Sequence, residues 1–282
     1  MKTLGEVLGL SVAYLEKQGI LYPRRMAEEL LAFSLKIKRL DLYMQFDRPL
    51  EEKELEVFRG FLKRKAQGEP LEHIFGEVFF LDCMLTITPD VLIPRPETEI
   101  LLSKVISQIE NLPKTKKVAW DICTGSGALG IALKKACPHL EVSISDISPK
   151  ALAVAKKNVI RNDVAVDVYE GDLLKPFEGK KADIILCNPP YVTTHECQAL
   201  DPSVKNFEPN LALDGGEFGT VFYERLAKDL PKYLNPGAKI FFEIGKDQGE
   251  SIMKIFSLPC YSNQTVEKDW SSKNRFFFLE FE

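Results

Sequence analysis

Apolar positions recur along this chain with two different periods, and the change from one to the other divides it. Leu4, Val7, Leu8, Val12 and Leu15 follow helical spacing and predict an amphipathic helix over Leu4 to Lys17. Glu6 and Glu16 interrupt the stretch, so it does not read as a signal sequence. Helical spacing continues through Pro23 to Leu35, Leu40 to Met44, and Glu51 to Lys65, where Leu55, Phe58, Phe61 and Leu62 share a face. One apolar stripe per helix predicts a small helical bundle over residues 1–72. The period then shortens. Glu77 to Phe80 and Leu85 to Thr88 look like strands around Leu81 to Met84, a hairpin joining two blocks across residues 73–92. Pro94 and Pro96 stiffen an extended entry from Leu92 to Glu99 that reads as a lid, and Ile100 to Ile109 turns helical.

From Val118 onward strands and helices alternate, with strands predicted at 117–122, 141–147, Val164 to Tyr169, Ile184 to Cys187 and Lys239 to Ile244. Gln264 to Asp269 and Arg275 to Phe281, joined by Trp270 to Asn274, form an expected edge hairpin. Residues 93–282 are therefore expected to fold as a Rossmann-like α/β sheet, mostly parallel, terminated by an antiparallel hairpin.

Composition narrows the function classes. A length of 282 residues suggests two domains, and 45% hydrophobic with 28% charged residues gives no reason to invoke disorder. No run approaches the roughly 20 apolar residues needed to cross a bilayer, so no membrane is expected and a cytoplasmic location is. Cys83, Cys123, Cys137, Cys187, Cys197 and Cys260 are scattered, and His73, His139 and His195 form no ligand pattern, so neither a metal nor a disulfide framework is expected. A net charge of −4 and a pI of about 5.7 weigh against stable nucleic-acid binding. Basic runs at Arg24-Arg25, Lys63 to Lys65, Lys114 to Lys117 and Lys134-Lys135 read as solvated faces, although a patch on the amino-terminal part could touch RNA. Glu51, Glu52, Glu54 and Glu56 followed by Arg59, Lys63, Arg64 and Lys65 place acids early and bases late on one helix, as its macrodipole favours.

The most informative tetrad is Asn188-Pro189-Pro190-Tyr191, directly after the apolar run Ile184 to Cys187. An amide or aromatic amine nitrogen is a poor nucleophile, because its lone pair is delocalised. The Asn188 side-chain oxygen and the Pro189 carbonyl can each accept one N–H bond from it and turn the lone pair toward an electrophile. Pro189 and Pro190 keep the turn stiff, and Tyr191 is expected to stack on the flat substrate group. The bland alternative is a proline-rich turn closing a buried strand.

The electrophile is suggested upstream. Val118 to Ile122 runs into Cys123-Thr124-Gly125-Ser126-Gly127 and then a helix, the form of a loop that cradles a nucleotide. Asp146, ending the second strand 25 positions after Asp121, is placed to bind ribose hydroxyls. Asp172, after the third strand, could accept from an exocyclic adenine amine. A dinucleotide enzyme needs a nicotinamide site and usually a proton donor, whereas Asn188 to Tyr191 stands at the end of the fourth strand and favours methyl transfer from S-adenosyl-L-methionine. No general base is assigned, because the alkylated nitrogen sheds its proton readily; His195 reads as a surface position.

These residues resemble the class I S-adenosylmethionine methyltransferases that modify glutamine in peptide chain release factors. The resemblance covers nearly the full chain: Leu92 to Glu99, Asp121 to Gly127, Asn188 to Tyr191, Phe207-Glu208-Pro209, Leu211 to Gly216, Glu243 to Gly245 and Asp247 to Gly249. It implies a helical amino-terminal domain that helps dock the release factor, and the glutamine of a Gly-Gly-Gln tripeptide as substrate. It also implies that Thr124, Gly125 and Gly127 hold the cofactor, Asp146 binds its ribose, Asp172 with Leu173 forms the adenine wall, and Asn188 with Tyr191 clamps the glutamine. Cys123 departs from the family's usual glycine, and Glu208 is expected to satisfy N–H groups of the glycine turn. A monomer is expected. Methylation of a ribosomal protein glutamine, methylation of adenine N6 in nucleic acid, and an inactive binding module remain the alternatives.

Overall fold

The computed structural model describes residues 1–110 and 117–282, and Lys114 to Lys116 of the basic run expected at Lys114 to Lys117 lie outside the described residues. Contacts divide the chain into two units, Met1–Gly76 with Pro202–Phe207, and Glu77–Asp201 with Glu208–Glu282.

The first unit contains α1 (Leu4–Lys17), α2 (Pro23–Leu35), α3 (Asp41–Met44), α4 (Glu52–Ala66) and α5 (Leu71–Phe75). Thr3 and Glu6 form a reciprocal capping box at α1, and Glu51 with Glu54 does the same at α4. Helix α4 ends on Lys63, Arg64 and Lys65, the charge order expected from sequence. The helices bury Leu4, Leu8, Leu15, Leu30, Leu31 and Phe58 against one another. Helix α5 was not anticipated: residues 73–75, expected to open the linker, finish a short helix stopped by Gly76 at φ +73°, and the hairpin starts at Glu77.

The second unit opens with β1 (Glu77–Phe80) and β2 (Cys83–Thr86), then α6 (Pro96–Glu110), β3 (Val118–Ile122), α7 (Ala128–Ala136), β4 (Glu141–Asp146), α8 (Pro149–Arg161), β5 (Val166–Glu170), β6 (Ala182–Cys187) and α9 (Thr194–Ala199). After α10 (Pro202–Lys205), which clusters with the first unit, come α11 (Val221–Asp229), β7 (Leu234–Glu243), α12 (Gly249–Ile255), β8 (Tyr261–Lys268) and β9 (Asn274–Phe281). Seven strands form one sheet in the order β5-β4-β3-β6-β7-β9-β8, parallel through β7 and antiparallel in the last two, as expected.

Side chains alternate between its faces with the period of a strand. Ala119, Ile184, Leu186, Phe241, Phe276 and Phe278 enter the core shared with α6, α7 and α8, whereas Trp120, Ile122, Ile185, Phe242 and Phe277 enter the one shared with α11 and α12. Trp120 stacks on Phe177 with centroids 4.1 Å apart.

Three boundaries moved for identifiable reasons. Helix α6 begins at Pro96, four residues before Ile100, because proline suits a first helical turn. Strand β7 starts at Leu234 rather than Lys239; its register jumps between the Ala182 and Ile184 pairings, looping out the Pro236-Gly237 stretch. Strand β2 begins at Cys83, so the hairpin turn is only Leu81-Asp82.

The outer edge of β2 is satisfied by side chains in place of a third strand. Asn158 Oδ1 accepts from Thr86 N at 2.7 Å, and Asn158 Nδ2 donates to the carbonyls of Thr86 (3.1 Å) and Ser126 (2.8 Å). One turn later Asn162 accepts from Met84 N at 3.2 Å and donates to Met84 O at 2.9 Å. Two amides four residues apart, one on α8 and one capping its carboxyl end, thus copy the spacing of alternate backbone groups on a strand. Asn158→Ala removes the partner of one buried backbone group, Ser126 O, and of two part-buried ones, Thr86 N and Thr86 O, and is expected to cost about 3 kcal/mol in a denaturant titration. A loss under about 1 kcal/mol would mean that water replaces the amide.

Candidate functional site

The parallel register brings three chain exits to one edge of the sheet. Ile122 pairs with Ser145 of β4 and with Cys187 of β6, so Cys123, Asp146 and Asn188 leave side by side. Ligand sites of open α/β sheets form at this carboxyl edge. The loop after β3 has positive φ at Cys123 (+59°), Gly125 (+55°) and Gly127 (+87°). A glycine suits the Cys123 position because an L side chain in the left-handed region costs about 1 kcal/mol. Thr124 N donates to Ser145 O at 3.0 Å, and Gly125 N to Asp146 Oδ2 at 2.9 Å, which ties the loop to β4.

A cavity of about 310 Å³ opens at this edge. Its wall includes Cys123, Thr124, Gly125, Ser126, Asp146, Asp172, Leu173, Asn188 and Pro190, together with Leu92 and Pro94 from the stretch expected to act as a lid. Gly127, Pro189 and Tyr191 are not in that wall. Tyr191, expected to stack on a substrate group, is partly buried against the core shared with α11 and α12, and its hydroxyl donates to Glu243 Oε1 at 3.2 Å. Burial, reinforced by the Glu243 charge, raises its phenol above the ordinary range. His195 lies exposed on α9, away from the wall. Glu208 does not serve the glycine turn: it accepts from Ile93 N at 2.9 Å and from Arg95 at 2.5 Å, while Gly216 N donates to Asp214 Oδ1 at 2.9 Å.

The carboxylates of the site are held in different ways. Asp146 accepts from Gly125 N through one oxygen and from Ser148 N, at 2.9 Å, through the other, which leaves lone pairs on both for hydroxyl donors. Burial raises its carboxyl, and the backbone N–H groups partly offset that. At Asp172 burial acts upward too, but Arg225 at 2.6 Å and Lys175 at 3.4 Å outweigh it and hold the carboxyl below the usual range. Arg225 comes from α11 and also lines the cavity, a contact with no signal in the sequence near Asp172.

Asp121 was missed as a site residue, although a carboxylate inside an apolar strand is itself a signal. It is 1% exposed; its Oδ2 accepts from Thr124 Oγ1 and, at 2.9 Å, from Gly130 N, while its Oδ1 has no partner. Helix α7 approaches this closely because Gly130 lacks a Cβ, which would collide with Ile144. Burial raises the Asp121 carboxyl from 3.8 to about 7 despite the Thr124 and Gly130 bonds. An unpaired buried acceptor in a cavity wall suits a cationic group.

A carboxyl raised on folding binds more protons in the native than in the unfolded state. Its contribution to stability is complete below the unfolded value of 3.8 and disappears as pH rises through about 7. Thermal denaturation across this range should therefore show the wild type losing stability relative to Asp121→Asn as pH rises, because Asn keeps the acceptor for Thr124 and Gly130 without the charge. Parallel curves for the two proteins would assign the proton elsewhere.

Comparisons with known proteins agree with this arrangement. The family model "Methyltransferase small domain" matches residues 98–230, and "PrmC N-terminal domain" matches residues 6–76. The fold is similar to that of a methyltransferase from Pyrococcus furiosus, with a TM-score of 0.53 at 18% identity, covering 71% of this chain and 89% of that one. A release factor glutamine methyltransferase of Chlamydia trachomatis is 42% identical over 95% of this chain and 90% of its own length. Its counterpart in Geobacter sulfurreducens is 38% identical over 90% and 88%. With identity at this level sustained through both units, the chain belongs to the release factor glutamine methyltransferase family.

Proposed function

We propose that this protein transfers a methyl group from S-adenosyl-L-methionine to the side-chain nitrogen of the glutamine in the Gly-Gly-Gln motif of release factors. The observation that carries the reading is that Asn188 and residues Cys123, Thr124, Gly125 and Ser126 of the glycine loop share one cavity wall. The residues fit the cofactor: the unpaired Asp121 Oδ1 suits its ammonium or sulfonium charge, Asp146 has free lone pairs for ribose hydroxyls, and Asp172 with Leu173 offers an acceptor beside an apolar surface for adenine. When bound, it supplies a methyl group already activated by the positive sulfur.

The protein's task is then alignment and exclusion of water. Asn188 Oδ1 and the Pro189 carbonyl accept the two amide protons of the glutamine and aim its nitrogen lone pair, and the proton lost on alkylation leaves to solvent. Residues 1–72 dock the release factor. In support, the first unit exposes Leu21, Tyr22, Leu40 and Met44, with Tyr22 76% and Met44 85% accessible, beside Arg24 and Arg25. A monomer acting in the cytoplasm belongs to the same reading.

Incubation with labelled cofactor and either a release factor or nucleic acid, followed by mass spectrometry, should place the methyl on the Gly-Gly-Gln glutamine. Asn188→Ala should retain cofactor affinity and lose about a hundredfold or more in turnover, since an acceptor at the reacting nitrogen is gone. Label in nucleic acid alone, or unchanged turnover, would refute the reading. Tyr22→Ser combined with Met44→Ser should raise KM for the intact release factor about tenfold while leaving KM for a short Gly-Gly-Gln peptide unchanged. Equal effects on both substrates would deny the first unit its docking role.

A further inference from the structure

A primary amide presents an acceptor on one side and donors on the other, in nearly the same shape. Rotated one way, Asn188 offers the cavity an oxygen, which matches the N–H of a glutamine. Rotated the other way it offers N–H, which matches the carboxylate of a glutamate. Something must set the choice.

The structure supplies a relay behind Asn188. Asn188 Nδ2 lies 3.5 Å from Thr98 Oγ1, and Thr98 Oγ1 donates to Glu243 Oε2 at 2.7 Å. The other oxygen of Glu243 accepts from the Tyr191 hydroxyl. A threonine hydroxyl has one proton. With that proton committed to Glu243, the Thr98 oxygen can only accept, so the Asn188 NH2 must face it and Oδ1 must face away. Thr98 reaches the cavity wall but is only 4% exposed and Glu243 is 1% exposed, so bulk water is poorly placed to compensate for a reversed orientation. Burial, with the Glu97 charge, raises the Glu243 carboxyl, while the bonds from Thr98 and Tyr191 and the nearby Arg275 charge act the other way, toward the ionised form that accepts both.

We propose that Thr98 and Glu243 are positioning residues that fix the polarity of the Asn188 amide and so make the site select a carboxamide over a carboxylate. The inference rests on the glutamine reading above and extends it: specificity for the substrate group originates in a hydrogen-bond direction set two residues behind the one that touches it. Neither Thr98 nor Glu243 touches the reacting atoms in this account.

The test uses the full-length protein, a release factor as substrate, and the same factor with its Gly-Gly-Gln glutamine changed to glutamate as inhibitor. Thr98→Val removes the hydroxyl at nearly constant shape, and Thr98→Ser restores it. In Thr98→Val, kcat should fall about tenfold and the preference for the glutamine over the glutamate factor should fall by at least about tenfold. Thr98→Ser should recover the preference to within about twofold of wild type. Glu243→Gln, which can donate to Thr98 and reverse the relay, should shift the preference in the same direction, and it decides the matter if Thr98→Val fails to bind cofactor. A variant that binds cofactor and loses turnover with the preference unchanged makes the pair a packing element and overturns the proposal. A wild-type protein that methylates no Gly-Gly-Gln factor removes the underlying reading instead.

Discussion

The parallel pairing of β3 with both β4 and β6 is the constraint from which the site follows. Two register positions, Ile122 with Ser145 and Ile122 with Cys187, decide that the glycine loop, Asp146 and Asn188 share an edge. That register is protected by the core. A slip of one residue would turn Trp120 and Ile122 away from the α11 side and bring Ala119 and Asp121 into it. Burial of large side chains on both faces therefore locks the site, and no separate device is needed to bring the cofactor loop beside the clamp.

Negative charge at this edge is expensive to bury, and the fold meets the cost mainly with neutral donors. Asp146 is held by two backbone N–H groups, Asp121 by a hydroxyl and a backbone N–H, and Glu243 by two hydroxyls. Neutral donors stabilise a carboxylate without cancelling its field. Asp172 is the exception, since Arg225 and Lys175 compensate it directly. The part of the cavity near Asp121 and Asp146 thus stays attractive to a cation, whereas the Asp172 end is close to neutral, as an uncharged aromatic ring would prefer.

Much of this was legible in sequence because it is written in local periods. The strands of the sheet, its terminal hairpin, both long capped helices of the first unit and the cofactor loop all announce themselves within a few residues. What stayed hidden depends on partners far along the chain. Glu208 and Ile93 are 115 positions apart, Asn158 and Thr86 are 72, and Asp172 and Arg225 are 53. The surroundings of Tyr191 stayed hidden for the same reason: the anchor of its hydroxyl, Glu243, stands 52 residues later. Asp121 was visible as a charge in an apolar strand, yet only its unpaired oxygen marks it as part of the site.

Prolines alone do not make Asn188 to Tyr191 rigid. A Cβ on Gly215 would meet Pro190 O at 2.7 Å and Tyr191 Cα at 2.8 Å, so the glycine turn lies directly against the backbone of the tetrad. Gln248 completes the clasp: its NH2 donates to Tyr191 O at 2.9 Å and Gly219 O at 3.1 Å, and its oxygen accepts from Gly245 N at 2.8 Å. That amide has every direction fixed by backbone. Asn188, by contrast, has one side-chain partner among the described residues, at the limit of hydrogen-bonding distance. A frame fixed by backbone contacts up to the last amide, which is itself held from the Nδ2 side only, leaves the Asn188 oxygen free to bind while denying its backbone freedom to move, the combination that orienting a weak nucleophile requires.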